Sequence, residues 1–278
     1  YERGCRAAGF LGGEPTIYPR IIECVEFARD LGYSRIAVCS NGVRFADPAF
    51  CRRMTDAGVT RVTISVHSHQ PEVEDVLITH VPGNLGKKIA AIRNLLALGE
   101  EGRLKERVSL NPVLNRRTYH DMEAYIRFFS GRGIQDIRFN FIWPQAYVIK
   151  DRAWIPTFAE VMPELVRILA LNEKNFKLRL TFGGIPKCAL RLAAVSKPLA
   201  DYFGGKYLEE ETFDPPNAVA APNAADAPPS RFIWQDAKRN AHKRQLPECR
   251  HCRHCRQCEG VWRTYLDIYG AKEFRPVR

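Results

Sequence analysis

The stretch "GFLGGEPT" (Gly9–Thr16) decides how the rest of the chain is read. A short apolar run ends in two glycines, a carboxylate and a proline. Gly12 and Gly13 let a backbone come close to a ligand, because neither carries a Cβ. Glu14 supplies an acceptor for an ammonium group, and Pro15 stiffens the turn. A phosphate cradle would need Lys and then Ser or Thr directly after its last glycine, and no such pair follows here. The stretch reads as a strand that ends in a binding corner for an amino-acid-type ligand.

Similar strand ends recur. "RIAVCS" runs into Asn41 and Gly42, and "VTRVTIS" (Val59–Ser65) runs on towards His67, Ser68 and His69. "ERVSL" runs into Asn111, and "DIRF" into Asn140 and Trp143. Between these runs lie helical stretches: "PRIIECVEFARDLG", "DPAFCRRMTDAG", "GKKIAAIRNLLALG" and "TYHDMEAYIRFFSGRG". Gly32, Gly58 and Gly99 are expected C-caps, Asp47 before Pro48 an N-cap, and Asn115 or Thr118 the N-cap of the fourth helix. Strand–helix alternation argues βαβ units and a parallel sheet. The runs are apolar on both alternations, which suits a sheet covered by helices. Ligands of parallel α/β folds bind at the carboxyl ends of strands, where these polar residues cluster. Periodicity alone leaves an open doubly wound sheet and a barrel as alternatives.

A further helix is expected over "PTFAEVMPELVRILALNE", kinked or restarted at Pro163, and a strand at "FKLRLTF". The alternation then stops. "TFDPPNAVAAPNAADAPPS" has five prolines in 19 residues and reads as a flexible segment. Beyond it, "CRHCRHCRQC" places Cys249, Cys252, Cys255 and Cys258 at every third position. Cysteines so close make poor disulfide partners for one another, so metal binding in a reducing, cytoplasmic setting is the better reading. Four thiolates bind zinc or an iron–sulfur cluster. A zinc ribbon normally sets its two CxxC pairs well apart. A ferredoxin-like run supplies three ligands and takes its fourth from elsewhere, which makes Cys188 in "GIPKC" the candidate partner.

The chain has 278 residues and a net charge of +11, and it opens at Tyr1 without a methionine, so further residues are expected upstream. No apolar run approaches the roughly 20 residues a membrane-spanning helix needs. Eight Lys/Arg against two Asp/Glu between Arg231 and Cys258 admit a nucleic-acid or anionic partner. Because a four-thiolate cluster is itself anionic, these bases also offset cluster charge, and nucleic acid is not favoured.

"FLGGEPT", then "CSNG", then "ISVHS" resemble the radical S-adenosylmethionine (radical SAM) superfamily over about residues 6–142. The resemblance implies an α/β fold, a partial (β/α)6 TIM-like barrel with a Cys-rich auxiliary-cluster extension. It implies that Gly12, Gly13 and Glu14, with Pro15, hold the methionyl amino group. Ser40, Asn41, Ser65, His67 and Asn111 are then expected to face S-adenosylmethionine. The family's CxxxCxxC loop, which holds the catalytic 4Fe–4S cluster, is expected upstream of Tyr1. The tail is similar to SPASM or twitch domains. Their CxxCxxxxxC spacing selects Cys249, Cys252 and Cys258, with Cys188 fourth and Cys255 spare; in the alternative, Cys255 replaces Cys249. One auxiliary 4Fe–4S cluster is implied.

The expected organisation is a barrel over 1–150, its end and a bridging helix and strand over 151–211, the flexible segment over 212–230 and the cluster tail over 231–278. The implied activity is hydrogen abstraction by a 5′-deoxyadenosyl radical from a peptide, in maturation of a ribosomally made peptide, or from a small metabolite. A reductant such as flavodoxin or ferredoxin would serve it. RNA modification by the same chemistry and a non-enzymatic zinc or electron-transfer module are the alternatives.

Overall fold

The computed structural model describes residues 5–208, 218–220 and 231–278. Its main sheet has seven strands: β1 (Ala7–Phe10), β2 (Arg35–Ser40), β3 (Arg61–Ile64), β4 (Ser109–Leu110), β5 (Val113–Leu114), β6 (Asp136–Phe141) and β7 (Arg179–Gly183). The order is β1-β2-β3-β4-β6-β5, with β7 also paired to β6. The pairs β1–β2, β2–β3, β3–β4 and β4–β6 are parallel. Helices α1 (Ile21–Asp30), α2 (Pro48–Ala57), α3 (Asn84–Glu100) and α4 (Met122–Ser130) fill the crossovers. This is the strand–helix succession of a partial TIM-like barrel, as expected.

The chain divides into two compact units. One holds residues 1–113, 121–139 and 178–180; the other holds 114–120, 140–177 and 181–278. In the first, Val62, Ile64, Leu95, Leu110, Ile126 and Phe129 are buried in the core. The second contains α5 (Phe158–Leu171), α6 (Lys197–Lys206), the antiparallel pair β8 (Ala218–Ala220) and β9 (Arg231–Ile233), and the short helix α7 (Trp234–Ala237). It ends with the antiparallel pair β10 (Lys243–Arg244) and β11 (Val261–Trp262), and with α8 (Arg263–Tyr269). Its aromatic core stacks Phe141 on Phe158 at 4.2 Å, with Tyr265 and Phe274 against Phe158.

Local chemistry explains most boundaries. Asp47 caps α2 through Ala49 N at 2.9 Å, with Pro48 in the first turn, and Gly58 closes it at φ +128°. Thr157 and Glu160 form a capping box at the start of α5.

Four expectations change. The run "ERVSLNPVL" is two strands, because Pro112 has no N–H to give a ladder. Helix α3 runs through Gly99 to Glu100. Helix α4 starts only at Met122; Asn115 Oδ1 instead accepts from Arg117 N at 2.8 Å, closing a turn upstream. Helix α5 passes Pro163 without a break. Of the flexible segment expected over 212–230, only Ala218–Ala220 is described, as a strand, and the rest lies outside the described residues.

Candidate functional site

The first unit gathers the loops that follow β1 to β4. After β1, Gly12 and Gly13 adopt φ +91° and +55°, and no atom lies within 4 Å of where either Cβ would stand. The backbone here is open on the side a side chain would occupy, and the left-handed conformation favours glycine. Leu11 beside them is 71% exposed.

Glu14 ties this loop to the next strand. Its Oε1 accepts from Thr16 N at 3.1 Å, Thr16 Oγ1 at 2.6 Å and Ser40 Oγ at 2.8 Å. Its Oε2 accepts from Asn41 N at 2.6 Å. Pro15 opens a one-turn 3-10 helix that Glu14 caps. Most of the carboxylate's acceptor capacity therefore holds protein, with Oε2 carrying one donor. Ser40 is buried, and its hydroxyl both donates to Glu14 and accepts from Gly42 N at 3.0 Å. Asn41 is exposed, and its Oδ1 accepts from Val43 N at 2.9 Å. The loop from 12 to 16 and the end of β2 thus form one hydrogen-bonded corner.

Ser65 follows β3, and its amide donates to Ser40 O at 2.8 Å. Its side chain meets the Cys39 thiol, which burial pushes up in pKa. His67 Nδ1 accepts from Val113 N at 3.1 Å. Burial lowers the imidazole to about 4; Glu74 opposes that shift and Lys88 adds to it. His67 is therefore neutral near pH 7, with its proton on Nε2. Asn111 N donates to Ile64 O at 2.9 Å, continuing the ladder past β4. Gly12, Gly13, Glu14, Pro15, Ser40, Asn41, Ser65, His67 and Asn111 all belong to this unit, on consecutive strand ends.

Sequence reasoning missed the groups beneath these loops. Glu74 and Lys88 are a buried pair, and Asp75 caps α3 through Gly83 N at 2.9 Å and Leu85 N at 2.7 Å. The available signal was "PEVED": three acids in a short segment leading from a strand end to a helix start.

The second unit carries the cysteines. Cys252 N donates to Cys249 O at 2.9 Å, Cys255 N to Cys252 O at 3.0 Å, and Cys258 N to His254 O at 2.9 Å. The tail is thus a run of tight turns, the coiling that closely spaced ligands require. Cys188 lies in the 3-10 turn Lys187–Ala193. Burial pushes its thiol up to about 12, and Cys258, Cys249 and Cys252 push it in the same direction. Cys255 is not among its electrostatic neighbours; its Sγ donates to Gln245 Oε1 at 3.4 Å. Gly260 N donates to Cys258 Sγ at 3.3 Å.

All nine cysteines are free thiols. Among the described residues, no three His, Cys, Asp or Glu side chains converge on one metal-ion position. Thiols at this spacing fit a thiolate-held cluster in their chemistry, and Cys188 has Cys249, Cys252 and Cys258 as electrostatic neighbours. His251 and His254 each accept from the neighbouring Arg250 or Arg253 at Nε2.

Comparison with known proteins agrees with this architecture. The radical SAM superfamily model matches residues 1–129, the part of the chain that carries the strand-end loops described above. A Metallosphaera sedula protein named "Probable GTP 3′,8-cyclase" is 28% identical over 184 residues, covering 65% of this chain and 55% of that protein. A Sulfolobus acidocaldarius protein of the same name is 28% identical over 49% of this chain and 41% of its own length. The chain thus spans about half the length of the curated relatives it matches. The crystal structure of Streptococcus suis SuiB bound to S-adenosylmethionine matches with a TM-score of 0.57, at 14% identity, over 98% of this chain and 65% of that one. That likeness is one of fold. No helix among the described residues is long and apolar enough to cross a membrane.

Proposed function

We propose that this chain is part of a radical SAM iron–sulfur enzyme. It would bind S-adenosylmethionine on the loops after β1 to β4 and one auxiliary 4Fe–4S cluster on Cys188, Cys249, Cys252 and Cys258. The single observation that carries the reading is the Gly12–Glu14 corner. It offers open backbone beside a carboxylate bonded across to the end of β2. Gly12 and Gly13 carbonyls with Glu14 Oε2 would receive the ligand's ammonium group. Asn41, Ser65, His67 and Asn111 would line the remainder. Such a cofactor, reduced by a 4Fe–4S cluster on a CxxxCxxC loop, supplies hydrogen-atom abstraction by a 5′-deoxyadenosyl radical. The chain's own residues bind, orient and shield.

A peptide is the preferred substrate class, in maturation of a ribosomally made peptide. The fold likeness to SuiB supports this, since SuiB has also been solved with its precursor peptide SuiA. A small metabolite is the second reading, favoured by the names of the curated relatives. A cytoplasmic location with a flavodoxin or ferredoxin reductant suits oxygen-sensitive clusters. The +11 charge keeps RNA modification as a reading to test by salt-dependent binding.

Anaerobic iron reconstitution tests the proposal. This chain should hold about four irons on the auxiliary site. Cys188→Ser should lose most of that iron, and Cys255→Ser should keep it. S-adenosylmethionine should bind the wild type and be lost on Glu14→Ala. A colourless zinc protein without affinity for S-adenosylmethionine would reject the assignment.

A further inference from the structure

The peptide Ser65–Ser68 follows β3 without being a strand. Val66 and Ser68 are buried, so the polar backbone here must find partners inside the protein. Side chains from outside the loop supply them. Glu74 Oε2 accepts from both His67 N and Ser68 N at 2.8 Å. Lys88 Nζ donates to Ser65 O at 2.8 Å, and the Tyr125 hydroxyl donates to Val66 O at 2.9 Å. Glu74 Oε1 and Lys88 Nζ pair at 2.5 Å, with side chains 0% and 2% exposed.

A buried ion pair is a poor way to gain stability. Its desolvation cost rivals its attraction, and apolar replacements of equal volume are often as stable or more so. What this pair does uniquely is bind one short loop from both sides. We infer that Glu74 and Lys88 are positioning residues that hold Ser65–Ser68 in one conformation and thereby fix His67 as an Nε2–H donor for an acceptor oxygen of the bound cofactor. This rests on reading the strand-end loops as the S-adenosylmethionine site.

The geometry of His67 makes the role specific. Val113 N–H occupies Nδ1, so the ring proton is on Nε2. A proton on Nδ1 would set two donors against each other. A small slide of the loop would free Nδ1 and let the tautomers mix, with the ring titrating near its ordinary value. Lys88 stands on α3, whose start Asp75 caps, so the brace is anchored at both ends.

The test uses side-chain 15N NMR of histidine on the full chain, alongside S-adenosylmethionine binding by calorimetry. In the wild type, His67 should show a pyrrole-type Nε2 and a pyridine-type Nδ1, with no titration above pH 5. Lys88→Met should mix the tautomers and weaken S-adenosylmethionine binding by about tenfold or more, the usual scale for losing an orienting partner. Lys88→Arg should restore both. If Lys88→Met fails to fold, Glu74→Gln, which keeps an oxygen for the two amides but leaves Lys88 without its counter-ion, carries the same expectation.

A wild-type His67 that titrates near 6.5, or variants that leave both readouts unchanged, would overturn the inference. If S-adenosylmethionine fails to bind even the wild type while the tautomer responds as stated, the brace stands and the cofactor assignment falls.

Discussion

Two short stretches are held in opposite ways. Residues 65–68 with their supports are fixed by buried side chains reaching in from elsewhere: Glu74, Lys88 and Tyr125. Residues 249–258 are held mainly by bonds between near neighbours, one turn after another, with Gln245 Nε2 donating to Cys255 O and Cys258 O at 2.6 Å each and one longer-range bond from Arg253 N to Val277 O at 2.9 Å. The first arrangement is complete in the protein alone. The second shapes a backbone whose cysteines form no disulfides. Rigidity at the one place comes from the interior; at the other, the proposed cluster would add to it.

That contrast is open to measurement. The largest effect is expected from Glu74→Ala. It leaves the buried Lys88 ammonium without its counter-ion and the His67 and Ser68 amides without their acceptor, and should lower unfolding stability by about 3–5 kcal/mol in a denaturant titration.

The next largest is a pH effect at His67, whose folded value of about 4 lies below its ordinary 6.5. Between these values the unfolded chain binds a proton that the folded chain refuses. Stability is therefore full above pH 6.5 and falls as pH drops towards 4, by on the order of 3 kcal/mol. His67→Gln should flatten that part of the stability profile.

In the tail, Gly260 sits at φ +90°, and a Cβ there would stand 2.4 Å from Arg244 O. Gly260→Ala should cost about 2 kcal/mol or more. It should show as faster proteolysis of the tail, with the first unit's melting unchanged. Smallest of all, Cys255→Ser should move the apo protein's melting stability by no more than about 0.5 kcal/mol, since the thiol makes one weak contact at 3.4 Å. A large loss there would mean that the tail depends on interior packing after all.

The sequence was most informative where chemistry is local. Asp47 and Pro48 marked the start of α2, Gly58 its end, and the glycine pair at 12 and 13 the turn after β1. It was least informative where partners are distant. Glu74 and Lys88 look like ordinary surface charges in one dimension, and a separation of 14 residues across a π-helical turn and a loop gives no periodic signal. Thr157 and Glu160 could have been read as a capping box, which would have set the start of α5 without the structure. The split of "ERVSLNPVL" at Pro112 was equally readable.

By itself, then, the sequence determined the alternation of strand and helix, the polar strand ends and the spacing of the cysteines. These depend on hydrophobic periodicity and turn chemistry, which act over a few residues. Only the tertiary structure decided that Glu14 bonds across to Ser40 and Asn41, and that a buried ion pair braces the loop of His67. Burial and pairing are properties of how distant segments pack, and the cost of an unpaired buried charge makes the packing choose its partners.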